Sequence, residues 1–151
     1  GLACGIALAG IKKSMSYMTY VLLGDGELNE GSIWEGFLFA AHHKLNNLVV
    51  IIDRNHMCCA GYTENILQLE PLDKKLESFG LAVCTVDGHN CTELADELRR
   101  LRSRPVSGPT CIIAETVKGK GLPSVESTPM CHHYSPKGEE LEKAFAELRG
   151  E

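Results

Sequence analysis

The segment from Leu48 to Ile52 is the feature that most restricts how this chain folds. It is apolar at every position and mostly β-branched, which favours a β-strand. A strand without polar alternation is covered on both faces, as is typical of a parallel sheet. Because parallel strands need crossover connections, usually helical ones, the segment predicts an α/β fold.

Further apolar segments repeat this strand pattern, and amphipathic segments separate them. The other predicted strands are Thr19 to Leu23, Ala82 to Val86 and Thr110 to Ala114. The predicted helices are Leu2 to Ile11, a segment with Trp34, Phe37, Leu38, Ala41 and Leu45 on one face, a segment with Leu94, Leu98 and Leu101, and a last segment with Leu141, Phe145 and Leu148. The alternation predicts a doubly wound, mostly parallel α/β sheet with helices on both faces.

Local signals add two expectations. Ser32 stands three residues before Glu35, the spacing of a capping box, so we expect the second helix to begin there. The stretch from Lys118 to Lys137 is long and irregular, which is typical of a functional loop.

Length and composition favour a single domain and exclude some functions. A chain of 151 residues can bury one core, so we expect one domain over 1–151. The net charge of −5 and the scattered Lys and Arg residues argue against nucleic-acid binding. Apolar segments too short for a bilayer and the lack of a signal sequence argue against a membrane role and predict a cytoplasmic location. Gly1 opens directly into an apolar segment without Met, so we expect an N-terminal truncation.

The seven cysteines have two possible uses. An odd number without a secretory signal favours reduced, mostly buried thiols, as for Cys84 and Cys111 within predicted strands. The alternative is a zinc site built from a cluster of thiols and imidazoles, namely Cys58, Cys59, Cys131, His132 and His133. Structural zinc ligands usually come in spaced pairs such as C-x₂₋₄-C, which two adjacent cysteines do not provide.

Polar side chains follow two neighbouring predicted strands. Asp25 lies between Gly24 and Gly26 after the first strand, and Asn55 follows the second. Ligands of open parallel sheets bind beyond the carboxyl ends of the strands. Carboxylate and amide oxygens suit Mg²⁺, and glycines allow a phosphate to approach the backbone closely. A Gly-Asp-Gly turn alone would carry little weight, but its position after a buried strand favours a magnesium and phosphate site.

The same segments resemble the thiamine-diphosphate motif of transketolases. The matching segments are VLLGDGELNEGSIWE (21–35) and IIDRN (51–55), with VDGH (86–89) and TVKGKG (116–121) in the form found in split N-terminal subunits. This resemblance extends over almost the whole chain and implies the thiamine-diphosphate-binding fold. Oxo-acid dehydrogenases and deoxyxylulose-phosphate synthases share Gly-Asp-Gly, but ELNEG and Trp34-Glu35 favour transketolase.

The resemblance implies a role for each residue of the motif. Asp25 and Asn55 are expected to bind Mg²⁺ through their side chains, and Met57 through its backbone carbonyl. Gly24 is expected to donate its N–H to the diphosphate, with Gly26 in the same cofactor-binding turn.

The resemblance also assigns residues outside the motif. His132 aligns with the family's histidine that reaches the diphosphate and the reacting oxygens of the substrate, although Cys131-His132-His133 replaces the usual Trp-His-Gly. The alternative is a surface histidine. Glu30 matches an acidic residue at the dimer contact, and Cys59 falls where the family places an apolar side chain near the thiazolium ring. His89 belongs to a motif and is expected to hold a loop.

The resemblance to transketolases further implies that the chain works in an assembly with a partner. The expected reaction is transfer of a two-carbon ketol unit between sugar phosphates, with thiamine diphosphate and Mg²⁺ as cofactors. The glutamate that contacts the aminopyrimidine belongs to a pyrimidine-binding C-terminal domain or subunit, so the expected partner completes the site in a dimer or heterotetramer. Family members also carry histidines ahead of the segment that matches Gly1 to Gly5. A non-catalytic remnant or fragment that binds a partner stays open as the alternative.

Overall fold

A computed structural model describes residues 1–103 and 107–150 of the chain. The elements in chain order are α1 (Leu2–Lys12), β1 (Thr19–Gly24), a first 3₁₀ helix (Asp25–Asn29), α2 (Gly31–His42), β2 (Leu48–Arg54), β3 (Met57–Cys58), β4 (Gly61–Tyr62), α3 (Thr63–Ile66), α4 (Leu72–Ser78), β5 (Ala82–Asp87), α5 (Cys91–Ser103), β6 (Thr110–Glu115), a second 3₁₀ helix (Pro129–His133) and α6 (Glu139–Arg149). All four predicted strands and the four predicted helices are present.

The main sheet contains four strands in the order β1-β2-β6-β5, and every neighbouring pair is parallel. The prediction of a parallel sheet is therefore confirmed. Gly24 pairs with Asp53, and Arg54 pairs with Glu115, so the carboxyl ends of β1, β2 and β6 meet at one edge. Strands β3 and β4 form a short antiparallel pair just beyond that edge.

Both faces of the sheet are covered by helices, as predicted for a doubly wound fold. Val50 and Ile52 of β2 pack in a core with residues of α1, α2 and α4. Val49 and Ile51 point the other way and pack in a second core with Leu94, Leu98 and Leu101 of α5. Successive residues of a strand face opposite sides, so one apolar strand serves both cores.

The second helix differs from its prediction in two ways. It begins at Gly31 with Glu30 at its N-cap, and no side chain caps it, so the expected capping box of Ser32 and Glu35 is wrong. The first 3₁₀ helix ends at Asn29, and only Glu30 is extended before α2, which places Ser32 already inside the first turn. Leu38 was expected on the core face but is 57% exposed, because Phe37 and Ala40 face the core instead.

Other limits also differ from the sequence prediction. Leu45 is buried but lies beyond the end of α2, and β2 continues to Arg54. The helix predicted from Leu141, Phe145 and Leu148 exists as α6, yet Ala144 is its buried residue. Among the described residues, no helix is both long and apolar enough to cross a membrane.

All seven cysteines are free thiols, but they are not mostly buried. Cys4 and Cys111 are buried, whereas Cys59 and Cys91 are exposed. Cys59 lies between β3 and β4, and Cys91 is the first residue of α5, so neither faces a core. The expectation of mostly buried thiols is therefore wrong. Burial raises the pKa of Cys84 to about 12, and its thiol also donates to Glu97.

We predict that iodoacetamide labels Cys59 and Cys91 first in the native protein. The thiolate is the reactive form, and burial disfavours it at Cys84 and Cys111. Time-resolved labelling with peptide mass spectrometry measures the order. Rapid native labelling of Cys111 would contradict the packing. Fewer than seven labelled cysteines after denaturation without reductant would instead reveal disulfides.

Candidate functional site

Asp25 is a buried carboxylate at the carboxyl end of β1. It opens the first 3₁₀ helix and has no exposed surface. Its Oδ2 atom accepts hydrogen bonds from Arg54 Nη1 at 3.0 Å and from the backbone N–H of His56 at 2.6 Å. Its Oδ1 atom is buried without a hydrogen-bond partner among the described residues. One carboxylate oxygen is thus fixed, and the other is free to bind a ligand.

Asn55 lies beside Asp25 because β1 and β2 are parallel neighbours. Its Nδ2 donates to Asp53 Oδ2 at 3.1 Å, and its Oδ1 accepts from the backbone N–H of Met57 at 3.0 Å. The hydroxyl of Thr116 donates to the other oxygen of Asp53. Asp53 and Thr116 therefore hold the amide in one orientation. An amide oxygen has two lone pairs, so Oδ1 keeps one for a further contact.

Gly26 packs the turn against β3. A Cβ atom at Gly26 would lie 2.8 Å from Cys58 Cβ and 3.9 Å from the carbonyl oxygen of Met57. A larger residue would push the two segments apart, which explains glycine at this position. Together with the hydrogen bond from the His56 backbone to Asp25, this packing brings the backbone at Met57 close to the turn that contains Asp25.

The backbone N–H of Gly24 already has an anionic partner. It donates to Glu27 Oε2 at 2.7 Å, and the Glu27 side chain is exposed. The sequence predicted that this N–H meets a diphosphate oxygen, and the structure places a carboxylate oxygen on it. The N–H is thus oriented for an anionic oxygen at the carboxyl edge of the sheet.

The region around Asp25 is short of positive charge. Burial raises the pKa of Asp25, although hydrogen bonds from Arg54 and from the His56 backbone act in the opposite direction. Arg54 forms ion pairs with Asp25, Glu64 and Glu70, so one guanidinium faces three carboxylates. Burial alone would lower the pKa of Arg54, but hydrogen bonds to Glu70 and Asp25 more than offset it and raise the pKa. A cation would therefore be favoured here.

His132 lies on the second 3₁₀ helix, which contacts β3. Its side chain is exposed, and its ring packs edge-on against that of His133, with centroids 4.8 Å apart. The neighbouring Cys131 packs its sulfur against Gly119, where a Cβ atom would lie 2.7 Å from it. In ranges 1–103 and 107–150, no three His, Cys, Asp or Glu side chains group as a metal site, so the cysteine and histidine cluster considered for zinc does not assemble there.

His89 joins two loops at the same edge. The backbone N–H of Val117 donates to His89 Nε2 at 2.7 Å, as expected for a loop-holding histidine. This contact borders an open cavity of about 470 Å³ beside Asn55. The cavity is lined by Leu22, Ile51, Asp53, Asn55, Gly88, His89, Leu94, Ala114, Thr116, Val117, Lys118 and Gly119. Lys118 is the cationic side chain in this lining.

Sequence reasoning missed Arg54 and its acidic partners. The prediction treated Arg54 only as the middle of the segment Asp53-Arg54-Asn55, yet it is the largest fully buried side chain described. Alternation along β2 was an available signal, because it places Arg54 on the same face as Val50 and Ile52. Its partners Glu64 and Glu70 could not be found by alternation, since they lie in and after the short helix α3.

The fold is an α/β fold with an open parallel sheet, a class in which ligands bind beyond the carboxyl ends of the strands. The family model described as "Transketolase, thiamine diphosphate binding domain" matches residues 8–148. The chain belongs to the transketolase family, and the predicted thiamine-diphosphate-binding α/β fold is confirmed.

Known relatives agree with this assignment. The chain is 44% identical over 150 residues to an apulose-4-phosphate transketolase subunit from Actinobacillus succinogenes, covering 99% of this chain and 54% of the relative. It is 40% identical to human transketolase, covering 97% of this chain and 22% of that protein. A crystal structure of Campylobacter jejuni transketolase superposes with a TM-score of 0.85 at 30% identity, covering 98% of this chain and 24% of the other. The chain thus spans about half the length of the subunit relatives it matches.

We predict that His89→Ala loosens the loop that contains Val117. The substitution removes the acceptor of the Val117 N–H, so amide exchange there should accelerate by roughly fivefold, since a net hydrogen bond contributes about 1 kcal/mol. Hydrogen–deuterium exchange resolved to short peptides measures this. His42→Ala is the matched control, because His42 lies at the end of α2, in a different part of the fold. Equal exchange of the 116–121 segment in both variants would refute the role of His89.

Proposed function

We propose that this chain is the diphosphate- and Mg²⁺-binding half of a transketolase-type enzyme that transfers a two-carbon ketol unit between sugar phosphates. The proposed domain extends over 1–151, of which residues 104–106 and 151 lie outside the described ranges. The observation that supports this most strongly is the buried, unpartnered Oδ1 of Asp25 beside Asn55, in a chain of the transketolase family.

The proposed magnesium ligands are the Asp25 carboxylate, the Asn55 amide oxygen and the backbone carbonyl of Met57. These are hard oxygen ligands, and Mg²⁺ is usually held by one or two protein carboxylates together with phosphates and water. The surplus of carboxylates around Arg54 favours a divalent cation at this place. The donor set and the local charge therefore both fit Mg²⁺.

The proposed diphosphate site is the turn at Gly24, Asp25 and Gly26. Gly24 would donate its N–H to a phosphate oxygen, which requires the exposed Glu27 carboxylate to leave that N–H. Gly26 keeps the turn close to β3 and so close to Met57. Binding of the diphosphate is then an exchange of one anionic oxygen for another.

His132 is the proposed catalytic residue of this half. Thiamine diphosphate, when bound, supplies the carbon–carbon bond chemistry of the reaction. An imidazole can donate from either ring nitrogen and changes its charge near neutral pH, so His132 suits hydrogen bonding to a diphosphate and to reacting substrate oxygens. Its position on a helix that contacts β3 supports this role.

A partner chain is part of the proposal. Relatives of about twice this length are themselves named as transketolase subunits, which supports a separate partner that carries the pyrimidine-binding C-terminal domain. We infer a dimer or heterotetramer with Glu30, exposed at the start of α2, at the subunit contact. The seven free thiols support a cytoplasmic location.

A non-catalytic fragment is the second candidate. The chain spans 54% of the Actinobacillus succinogenes relative. In this second candidate the chain binds a partner without turnover. A ketol-transfer assay with the C-terminal subunit present separates the two candidates, because a remnant would bind that subunit without restoring activity.

We predict that Asp25→Ala weakens Mg²⁺ binding more than Asn55→Ala does. A charged ligand contributes more than a dipole, so we expect losses of about 10- to 100-fold and about fivefold, respectively. Calorimetry of Mg²⁺ with thiamine diphosphate, in the partner-containing assembly, gives both affinities. Asp96→Ala, at an exposed position of α5, is the control and should bind like wild type. An Asp25→Ala variant that binds Mg²⁺ with the affinity of wild type would contradict the metal assignment.

We also predict that the isolated chain shows no measurable ketol transfer with thiamine diphosphate and Mg²⁺ supplied. Positioned acid–base catalysis typically contributes about 10²- to 10⁴-fold, and the group proposed to act on the aminopyrimidine belongs to the partner. A two-carbon transfer assay between a ketose phosphate and an aldose phosphate tests this. Clear turnover by the chain alone would contradict the proposal that it provides half of a site.

A further inference from the structure

Arg54 uses every donor of its buried guanidinium. Nη1 donates to Asp25 Oδ2 at 3.0 Å and to Thr63 Oγ1 at 2.8 Å. Nη2 donates to Glu64 at 3.0 Å and to Glu70 at 2.7 Å, and Nε donates to the same Glu70 oxygen at 3.2 Å. These contacts satisfy all five N–H donors of an arginine. A lysine cannot reproduce this planar fork.

The effect on Asp25 is orientation. Both described hydrogen bonds to its carboxylate end on Oδ2, one from Arg54 and one from the His56 backbone. Turning the carboxylate plane away from this orientation would break both bonds, and a half-turn that exchanges the two equivalent oxygens would restore the same arrangement. Oδ1 is therefore the oxygen held free, and it is buried without a partner in the described part of the chain.

The other side of the guanidinium holds the segment 63–72. Glu64 Oε1 also accepts from the backbone N–H of Leu69, and Glu70 Oε2 accepts from that of Leu72. Leu69 and Leu72 are buried in the core with α1 and α2. The guanidinium thus connects a carboxylate at the sheet edge to a segment that is anchored in the core.

We propose that Arg54 is a positioning residue that presents Asp25 Oδ1 to the metal and couples metal binding to the segment 63–72. This role rests on the proposed function, because it requires Mg²⁺ at Asp25. It differs from a purely structural role in one respect. A structural arginine stabilises the fold but leaves the Mg²⁺ affinity of the folded protein unchanged.

The first test compares Arg54→Lys with wild type in the partner-containing assembly. We expect the dissociation constant for Mg²⁺, measured by calorimetry with thiamine diphosphate present, to rise roughly 10- to 100-fold, as is usual when a group that orients a metal ligand is lost. Arg100→Lys is the matched control, since Arg100 pairs with Glu97 on α5, and it should bind like wild type. In an Asp25→Asn background, Arg54→Lys should cause little further loss, because its effect acts through the carboxylate.

A second measurement needs no substitution and so does not depend on the folding of a variant. Binding of Mg²⁺ with thiamine diphosphate to the wild-type assembly should slow amide exchange at Leu69 and Leu72, whose N–H groups donate to the two glutamates held by Arg54. Exchange in α5 should stay the same.

The outcomes separate this proposal from the proposed function. If wild type binds Mg²⁺ while a folded Arg54→Lys binds it equally well, Arg54 is structural and the positioning role is overturned. Unchanged exchange at Leu69 and Leu72 on binding overturns the coupling. If wild type itself takes up no Mg²⁺ with thiamine diphosphate, the proposed function fails, and the role of Arg54 fails with it.

Discussion

The parallel register of β1 and β2 is the constraint on which the site depends. It pairs Gly24 with Asp53, so Asp25 follows one residue later and Asn55 two residues later at the same edge. A slip of one residue would turn the side chains of a strand to the opposite face. In β2 it would turn the buried Arg54 away from the face of Val50 and Ile52, on which its guanidinium reaches Asp25, and would put Asp53 on that face instead. The buried ion pair of Arg54 therefore fixes the geometry of the polar edge together with the core packing.

That geometry has an electrostatic cost. A buried carboxylate oxygen without a partner typically costs about 1–3 kcal/mol, and Asp25 Oδ1 is such an atom among the described residues. Arg54 offsets part of the negative charge, but it is shared with Glu64 and Glu70. A cation that binds at this place would stabilise the fold, because a ligand that binds only the native state stabilises that state.

Sequence patterns predicted the layers of the fold better than its details. Continuous β-branched runs were enough for the strands, because burial on both faces leaves a simple signature. The core face of α2 was harder to predict, because it depends on which side of the helix packs against other elements. Ala40 is buried there, whereas Leu38 is exposed. Asp25 and Asn55 could be placed at one edge by a general rule of parallel sheets. The cluster around Arg54 could not be predicted in this way, because its partners Glu64 and Glu70 lie in a segment whose sequence has no clear periodicity.

Glu27 affects how the proposed cation and diphosphate would bind at this edge. In the structure its carboxylate takes the N–H of Gly24, close in sequence to the Asp25 carboxylate. A bare diphosphate approaching this turn would meet the exposed carboxylate of Glu27 and the buried carboxylate of Asp25, and like charges repel most strongly at the buried group, where water is scarce. A diphosphate that arrives with Mg²⁺ brings compensating charge for Asp25 and competes with Glu27 for a single N–H. In the proposed site, the residues of the turn would thus favour uptake of the metal and the anion as one unit over uptake of either alone.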